Sequence, residues 1–272
     1  MIDIIASTGR IADKSDRTLI GARQLAGALE ELHGVAGRHV GSSTFQDPGH
    51  WRIDLDAAKE NLEALATEVE HSISSGIRIV LVGGTCSVGL ASLPVVARHF
   101  PDVVVLWIDA HGDFNTPDTT KSGYLGGMAL SAVCGCWDSG HGAGVDAGKV
   151  VLLGARDFDS SEYELITSSG ATILAPHQCR VPALLDAIGQ SPVWVHIDWD
   201  VLDPGYVSAD YAVGGGLSTE SLKALIAAIN PRQIVGLEIA EFNSPSDRTV
   251  AEQQIQTILD MVSPIVDDLG TL

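Results

Sequence analysis

Residues 103–111 read VVVLWIDAH, an apolar run that ends in a carboxylate and an imidazole. A run without polar alternation is typical of a strand that is buried on both faces, as in a parallel sheet. Similar runs recur along the chain, with amphipathic segments between most of them. The strand-like runs are 2–7, 78–84, 103–111, 149–156, 171–176, 193–200 and 233–242, with 39–42 as a weaker candidate.

Helical patterns separate these runs, most clearly at 56–75 and 218–229. The second opens with a capping signature, because Ser218 precedes the apolar positions and Glu220 lies in the first turn. Alternating strands and helices favour right-handed crossovers and a parallel sheet. We therefore predict a single domain over residues 1–272, an α/β/α sandwich of three layers with a mostly parallel, eight-stranded sheet.

The composition limits the possible partners. The chain has 272 residues, 45% of them hydrophobic, and a formal net charge of −19, which argues against binding to nucleic acid. No apolar run reaches the roughly 18 residues of a membrane helix, and the first residues do not resemble a secretion signal. Four cysteines without zinc-type spacing fit a reducing compartment. We expect a soluble, cytoplasmic protein with no membrane partner.

Two acidic motifs end two of the apolar runs. Asp109, His111 and Asp113 alternate after the first, and Asp198 and Asp200 alternate after the second. Period-two alternation directs each set to one side, and ligands of open parallel sheets bind at the carboxyl ends of strands. Either motif alone could be turn or cap chemistry. Together they predict a pair of hard cations such as Mn²⁺, which hold the carboxylates and activate a water molecule.

Five blocks of sequence together resemble the arginase, or ureohydrolase, family. The resemblance covers almost the whole chain and implies an α/β/α fold, a dinuclear Mn²⁺ centre, hydrolysis of a guanidinium group and a possible homo-oligomer. The blocks are GGTCSVG (83–89), DAHGDFNTP (109–117), SGYLGGM (122–128), DWDVLDP (198–204) and EFN (241–243).

The resemblance also implies roles for individual residues. Asp109 and Asp198 would bridge two ions, and Asp113 would pass a proton to the departing nitrogen. Glu241 would hold the guanidinium group of a small amino-acid substrate, which makes Asp113 and Glu241 the implied catalytic pair. The implied metal ligands are Asp109, His111, Asp113, Asp198 and Asp200, and the implied substrate-binding residues are Asn115, Thr120, Ser122, Asp159 and Glu241.

Two positions depart from the family pattern. Cys86 stands where an imidazole would bind the first metal, and a soft thiol is a poor ligand for Mn²⁺, so we expect that site to be weak. Gly126 stands where the family has a proton-shuttle histidine, and Tyr124 replaces an asparagine. The missing imidazole is expected to leave room for a bulkier guanidine.

An oxygen on the guanidine lowers its basicity, whereas the pKa of arginine exceeds ~12. The departures are also similar to those of family members that act on Nω-hydroxy-L-arginine in D-cycloserine biosynthesis. This resemblance implies hydrolysis to hydroxyurea and L-ornithine, in antibiotic biosynthesis. Two alternatives remain open, an arginase or other guanidino-acid hydrolase, and a degenerate ureohydrolase that binds a cationic amino acid.

Overall fold

The computed structural model describes residues 2–42 and 49–271. Its eight strands form one sheet in which every pairing is parallel. The strands are β1 (Ile2–Ser7), β2 (Arg38–Val40), β3 (Arg78–Val82), β4 (Val104–Ile108), β5 (Val150–Leu153), β6 (Thr172–Leu174), β7 (Val193–Asp198) and β8 (Ile234–Ala240). The helices are α1 (Asp16–His33), α2 (Trp51–Ser74), α3 (Gly89–His99), α4 (Ala129–Val133), α5 (Ser160–Ser169), α6 (Val181–Ile188), α7 (Thr219–Ala227) and α8 (Arg248–Thr271).

Two hydrophobic cores lie on opposite faces of the sheet. In β4, Leu106 and Ile108 belong to one core, whereas Val105 and Trp107 belong to the other. The first core includes buried side chains of α1, α6, α7 and α8, and the second includes those of α2, α3 and α4. The three-layer sandwich and the parallel, eight-stranded sheet are therefore confirmed.

Strand order determines where the acidic motifs meet. The order across the sheet is β2-β1-β3-β8-β7-β4-β5-β6, so β3, β8, β7 and β4 are four adjacent central strands. All four run in the same direction and end at the same edge. Cys86 follows β3, Asp109 follows β4, Asp198 ends β7, and Glu241 follows β8.

The predicted strands and the two predicted helices agree with observed ones apart from their ends. The run 103–111 is a strand only over Val104–Ile108, because the backbone turns where the acidic motif begins. The cap at Ser218 is present, and its side chain accepts a hydrogen bond from the backbone N–H of Ser221 at 3.2 Å. Among the described residues, no helix combines the length and apolarity that a membrane crossing requires.

Candidate active site

Asp109 lies at the centre of the acidic cluster and is completely buried. Its Oδ1 accepts a hydrogen bond from the backbone N–H of His111 at 2.7 Å, and its Oδ2 accepts one from Trp107 Nε1–H at 3.0 Å. The same Oδ2 lies 4.0 Å from the sulfur of Cys86. Asp109 therefore presents Oδ1 towards His111 and Oδ2 towards Cys86, and these two residues belong to two neighbouring groups of possible metal ligands.

The first group consists of Asp109, His111 and Asp200, each of which offers a ligand atom within 4.8 Å of the others. The Nδ1 atom of His111 lies 2.8 Å from Oδ2 of Asp200 and 3.5 Å from Oδ1 of Asp109. Burial alone would lower the pKa of His111, but the two carboxylates outweigh it and raise this pKa to about 11. The two carboxylates beside His111 therefore make this position strongly favourable for a positive charge.

The second group surrounds the buried thiol of Cys86. Its sulfur lies 3.4 Å from Oδ2 of Asp198, and its backbone N–H donates to Oε1 of Glu241 at 3.2 Å. These three residues also offer ligand atoms within 4.8 Å of one another. Burial and the nearby charge of Asp198 raise the pKa of the thiol, so without a cation it keeps its proton.

Burial and crowding disfavour ionisation of Asp198 and Asp200, whereas contacts with His111 outweigh burial and lower the pKa of Asp109. Burial and the charge of Asp109 raise the pKa of Asp200 to about 7. Burial, with the charge of Asp200, raises the pKa of Asp198 as well. Carboxylates that repel one another when ionised, together with an imidazole, are suited to divalent cations. The residues present therefore fit the metal centre that the sequence predicts.

Asp113 and Glu241 adopt backbone conformations that most side chains avoid. Their φ angles are +49° and +59°, in the left-handed region. Strained conformations of this kind persist where the surrounding structure enforces them, often at functional sites.

Burial and the charge of Asp109 raise the pKa of Asp113, and burial and the charge of Asp13 raise the pKa of Glu241.

Tyr124 and Gly126 give a result that differs from the sequence-based expectation. A Cβ atom at residue 126 would lie 2.7 Å from Cζ of Tyr124 and 2.9 Å from its hydroxyl oxygen. The expected empty space is therefore wrong, because the tyrosine ring fills it. The phenol donates a hydrogen bond to Oε1 of Glu241 at 3.0 Å. Sequence reasoning missed this role, although the simultaneous change at both positions was a usable signal.

A cavity of about 260 Å³ opens onto both donor groups. Of the predicted substrate-binding residues, Asn115, Ser122, Asp159 and Glu241 line this cavity. Its other lining residues are Cys86, His111, Asp113, Tyr124, Gly126, Gly127, Asp157, Phe158, Glu162, Asp198, Asp200 and Tyr211.

The predicted substrate-binding residues have different surroundings. The buried Oδ1 of Asn115 has no hydrogen-bond partner among the described residues. Asp159 accepts a hydrogen bond from Lys121 Nζ at 2.6 Å and caps α5. Thr120 is outside the lining of the cavity, and its hydroxyl accepts from the backbone N–H of Gly123 at 3.1 Å. Asn115 therefore lines the cavity, whereas Thr120 does not.

Two further cavity residues lacked a sequence signal. Glu162 is buried, and its Oε1 accepts from the backbone N–H of Phe114 at 2.9 Å, while burial raises its pKa to about 6. Tyr211 is exposed at the mouth, and the ammonium of Lys14 lies over the rings of Tyr124 and Tyr211, at 4.5 and 4.6 Å from their centroids. The places of Glu162 and Tyr211 in the cavity depend on contacts between residues that are distant in sequence, so no local pattern indicates them.

The family model for arginases, described as "Arginase family", matches residues 16–263, which is most of the chain. The chain belongs to the arginase family. An Nω-hydroxy-L-arginine amidinohydrolase of Streptomyces lavendulae is 49% identical over 267 residues, which are 98% of each protein. Family membership also makes the two donor groups candidates for a binuclear, metal-dependent centre.

Solved arginase structures share the fold. The arginase of Bacillus cereus superimposes with a TM-score of 0.82 at 25% identity, covering 97% of this chain and 98% of that one. The arginase of Entamoeba histolytica, solved in complex with L-ornithine, gives a TM-score of 0.85 at 20% identity and covers 97% of each chain. These two similarities confirm the arginase fold over nearly the full length.

Proposed function

We propose that this member of the arginase family hydrolyses the guanidino group of Nω-hydroxy-L-arginine to hydroxyurea and L-ornithine. The observation that carries the proposal is one cavity in which Glu241 and Asp113 face a buried set of metal-type donors. The choice of substrate is supported by the relative that is 49% identical over 98% of both chains and bears this activity in its name.

We propose Mn²⁺ as the metal at the site of Asp109, His111 and Asp200, because these are mainly hard oxygen donors with one imidazole. Asp113 and Asp198 complete the proposed ligand set, and a second Mn²⁺ on the side of Cys86 would be held more weakly. When bound there, divalent ions supply Lewis acidity that activates water for attack on a guanidine carbon.

Glu241 is the residue proposed to align the guanidine. Its Oε1 already accepts hydrogen bonds from the backbone N–H of Cys86 and the phenol of Tyr124, which leaves Oε2 able to accept from a substrate. Burial and the charge of Glu241 raise the pKa of the phenol, so that it stays a neutral donor. The fixed carboxylate thereby orients the guanidine carbon towards the donor groups.

Asp113 is proposed to transfer the proton that the leaving group needs. Water adds to the guanidine carbon, the bond from this carbon to the side-chain nitrogen Nε breaks, and the proton passes through the Asp113 carboxylate to this nitrogen, which becomes the side-chain amine of ornithine. The products are hydroxyurea and the free amine of ornithine, which balances the added water. Burial and the charge of Asp109 raise the pKa of Asp113, and a carboxylate with a raised pKa is better suited to accept and return a proton.

We propose that Asn115, Ser122 and Asp159 bind the amino-acid end of the substrate. The unpartnered amide oxygen of Asn115 and the position of Ser122 and Asp159 in the cavity support this role. Thr120 would act only through the turn that it forms with Gly123.

We also propose that residues 1–272 form a single domain. A homo-oligomer, a cytoplasmic location and a role in antibiotic biosynthesis stay predictions.

A substrate panel tests the proposal. Protein stripped of metal and reloaded with Mn²⁺ would be assayed with Nω-hydroxy-L-arginine, L-arginine and agmatine, and hydroxyurea, urea and ornithine would be quantified. We expect kcat/KM for hydroxyarginine to exceed that for arginine by at least ~tenfold. Equal or faster release of urea from arginine would identify an arginase instead. Binding without turnover of any of the three would favour a cationic amino-acid binder.

A further inference from the structure

A buried chain of side chains lies behind Cys86, on the side away from the cavity. The sulfur of Cys86 is 3.3 Å from Nε2 of His196, and Nδ1 of His196 is 2.7 Å from Oε1 of Glu238. The other oxygen of Glu238 accepts a hydrogen bond from the hydroxyl of Ser92. His196 and Glu238 are completely buried. The mechanism described above uses neither of them.

Trp107 fixes both His196 and Asp109. Its ring stacks on the imidazole with 3.5 Å between the ring centroids and 6° between the planes. Its Nε1–H donates to Oδ2 of Asp109 at 3.0 Å. Trp107 and His196 are direct neighbours in the pairing of β4 with β7. A single rigid ring therefore sets the distance between an imidazole and a carboxylate oxygen.

Glu238 determines which nitrogen of His196 can bind a cation. A carboxylate accepts hydrogen bonds, so Nδ1 carries the hydrogen and Nε2 presents its lone pair towards the sulfur. Histidines that bind metals commonly donate their second N–H to a carboxylate, which fixes the ring and its tautomer. His196 has this arrangement, with its free nitrogen directed at Cys86.

Two of the three distances from the sulfur of Cys86 match those of a four-coordinate site, and the third is slightly longer. With bonds of about 2.0–2.3 Å, neighbouring donors in a tetrahedral zinc site lie roughly 3.5 Å apart. Around the sulfur of Cys86, the donors lie at 3.3 Å (His196), 3.4 Å (Asp198) and 4.0 Å (Asp109). Cys86, Asp109 and His196 also offer ligand atoms that lie within 4.8 Å of one another.

We propose that Cys86, His196, Asp109 and Asp198 form a tetrahedral site for a borderline divalent ion, Zn²⁺ or Co²⁺, with His196 as a ligand. The inference deepens the proposed function, on which it rests for the second role of Asp109 and Asp198. One sulfur, one nitrogen and two oxygens suit zinc better than manganese. The two donor groups then select different metals, a hard ion beside His111 and a softer one beside Cys86.

Binding removes the thiol proton and requires the ionised carboxylates of Asp109 and Asp198. The thiol, which donates to Oδ2 of Asp198 at 3.4 Å in the metal-free protein, loses its proton to solvent as the ion binds, and the thiolate and the Nε2 lone pair both become ligands. The cavity reaches Cys86 directly, which provides a route for the ion. Asp109 keeps Oδ1 on the side of His111 while Oδ2 faces the sulfur, so both ions can be held together.

A crystal structure of wild-type protein, stripped of metal and soaked with Zn²⁺ alone, tests the site by anomalous scattering at the zinc edge. We expect an ion at about 2.3 Å from Sγ of Cys86 and about 2.0 Å from Nε2 of His196. Zinc bound only by Asp109, His111 and Asp200, with the contact between sulfur and imidazole retained, would overturn the proposal. The wild-type chain is used, so no folding defect can obscure the result.

Binding in solution gives a second measurement. Cobalt added to metal-free protein should produce a thiolate-to-cobalt charge-transfer band that Cys86→Ser abolishes. His196→Gln should weaken zinc binding roughly 100-fold. Cys179→Ser and His177→Gln, which lie outside both donor groups, serve as matched controls and should bind as wild type does. Wild-type zinc affinity in a folded His196→Gln variant would contradict the role of His196.

The assay of hydroxyurea release with Mn²⁺ separates this inference from the proposed function. Zinc seated on Cys86 and His196 in a protein that does not hydrolyse hydroxyarginine would leave the site standing and overturn the function. Hydrolysis of hydroxyarginine by a protein in which Cys86 and His196 never contact zinc would support the function and overturn the zinc site. The two outcomes are read from different experiments.

Discussion

The ring of Tyr124 occupies the volume that a side chain on Gly126 would need. A Cβ atom at 126 would lie 2.7 Å from Cζ of the tyrosine, which is closer than a carbon atom normally approaches an aromatic ring. The same phenol donates its hydrogen bond to Glu241. The two departures from the family pattern, Tyr124 and Gly126, therefore depend on each other. A larger residue at position 126 would require a smaller or differently placed side chain at position 124.

Gly126→Ala should displace the tyrosine and break its hydrogen bond to Glu241. We expect a loss of about 1–3 kcal/mol in the free energy of unfolding, typical of overpacking, and a fall in kcat/KM for hydroxyarginine. Urea denaturation and hydroxyurea release measure the two effects. Gly27→Ala in α1 is the matched control, because its Cβ would contact nothing within 4 Å. Identical behaviour of the two variants would contradict the packing argument.

Tyr124→Phe keeps the ring and removes only the hydroxyl. A hydrogen bond to a charged group contributes about 1.5–3 kcal/mol, so kcat/KM should fall at least ~tenfold as Glu241 loses its orientation. Steady-state assays on hydroxyarginine measure this change. Tyr206→Phe alters an exposed tyrosine and should have wild-type kinetics. If the phenylalanine variant at 124 also matched wild type, its phenol would have no part in positioning Glu241.

Asp113→Asn should nearly abolish turnover and leave the protein folded. Asparagine tolerates the left-handed backbone at this position, where φ is +49°, but it cannot carry a proton to the leaving nitrogen. We expect kcat to fall on the order of 10³-fold, with circular dichroism unchanged. Asp118→Asn, an exposed neighbour in the same loop, is the control. Metal content measured in parallel distinguishes lost proton transfer from a lost ligand, and retained activity would refute the proton-transfer role.

Cys86→His should increase retention of Mn²⁺, because an imidazole is a harder donor than a thiol. After dialysis we expect the manganese content to rise from about one towards about two ions per chain. The sulfur lies only 3.3 Å from His196, so the larger ring should also lower the melting temperature of the metal-free variant. Elemental analysis and thermal melts provide the two readouts. Unchanged manganese content would count against a weakened site.

Asp13→Asn should remove a pH dependence of stability. Asp13 is buried, and burial raises its pKa to about 6 although Ile11 N–H and the hydroxyl of Thr18 donate to it at 2.8 and 2.7 Å. A carboxyl with a raised pKa in the folded state is protonated below the unfolded pKa of 3.8 at no cost. As the pH rises from 3.8 to about 6, the unfolded chain loses this proton while the folded protein keeps it, so stability falls until the buried carboxyl also ionises.

The asparagine cannot ionise but can still hydrogen bond, so it should be more stable than wild type at neutral pH, by up to about 3 kcal/mol. At pH values near 4 the two proteins should have almost the same stability. Urea denaturation across this pH range measures the difference. A constant difference at all pH values would show that ionisation of Asp13 is not its cause.

Local patterns predicted the sheet and the clustered carboxylates well. The run VVVLWI is apolar throughout because β4 is covered on both faces, and the alternation of Asp109, His111 and Asp113 follows directly where that strand ends. Three of the predicted ligands, Asp109, His111 and Asp200, converge within 4.8 Å. Patterns of this kind depend on neighbours in sequence, so they can be read without a structure.

The surroundings of the cluster could not be read in the same way. Tyr124 and Glu241 are 117 positions apart, and Cys86 and His196 are 110 apart, so nothing local indicates that they touch. The short helix α4 has no signature in the sequence, because five residues are too few for a periodic pattern. Side-chain volume also matters, since only packing shows that Tyr124 fills the space at Gly126.

The donors come from the ends of four strands that meet only in the finished sheet. Cys86 and Glu241, which share a hydrogen bond, are separated by 155 positions along the chain. No short fragment therefore carries the complete set of ligands, and a partly folded chain offers a metal only the local motif of Asp109, His111 and Asp113. Complete loading with metal requires the assembled sheet, and each ion then stabilises the assembled state by mass action.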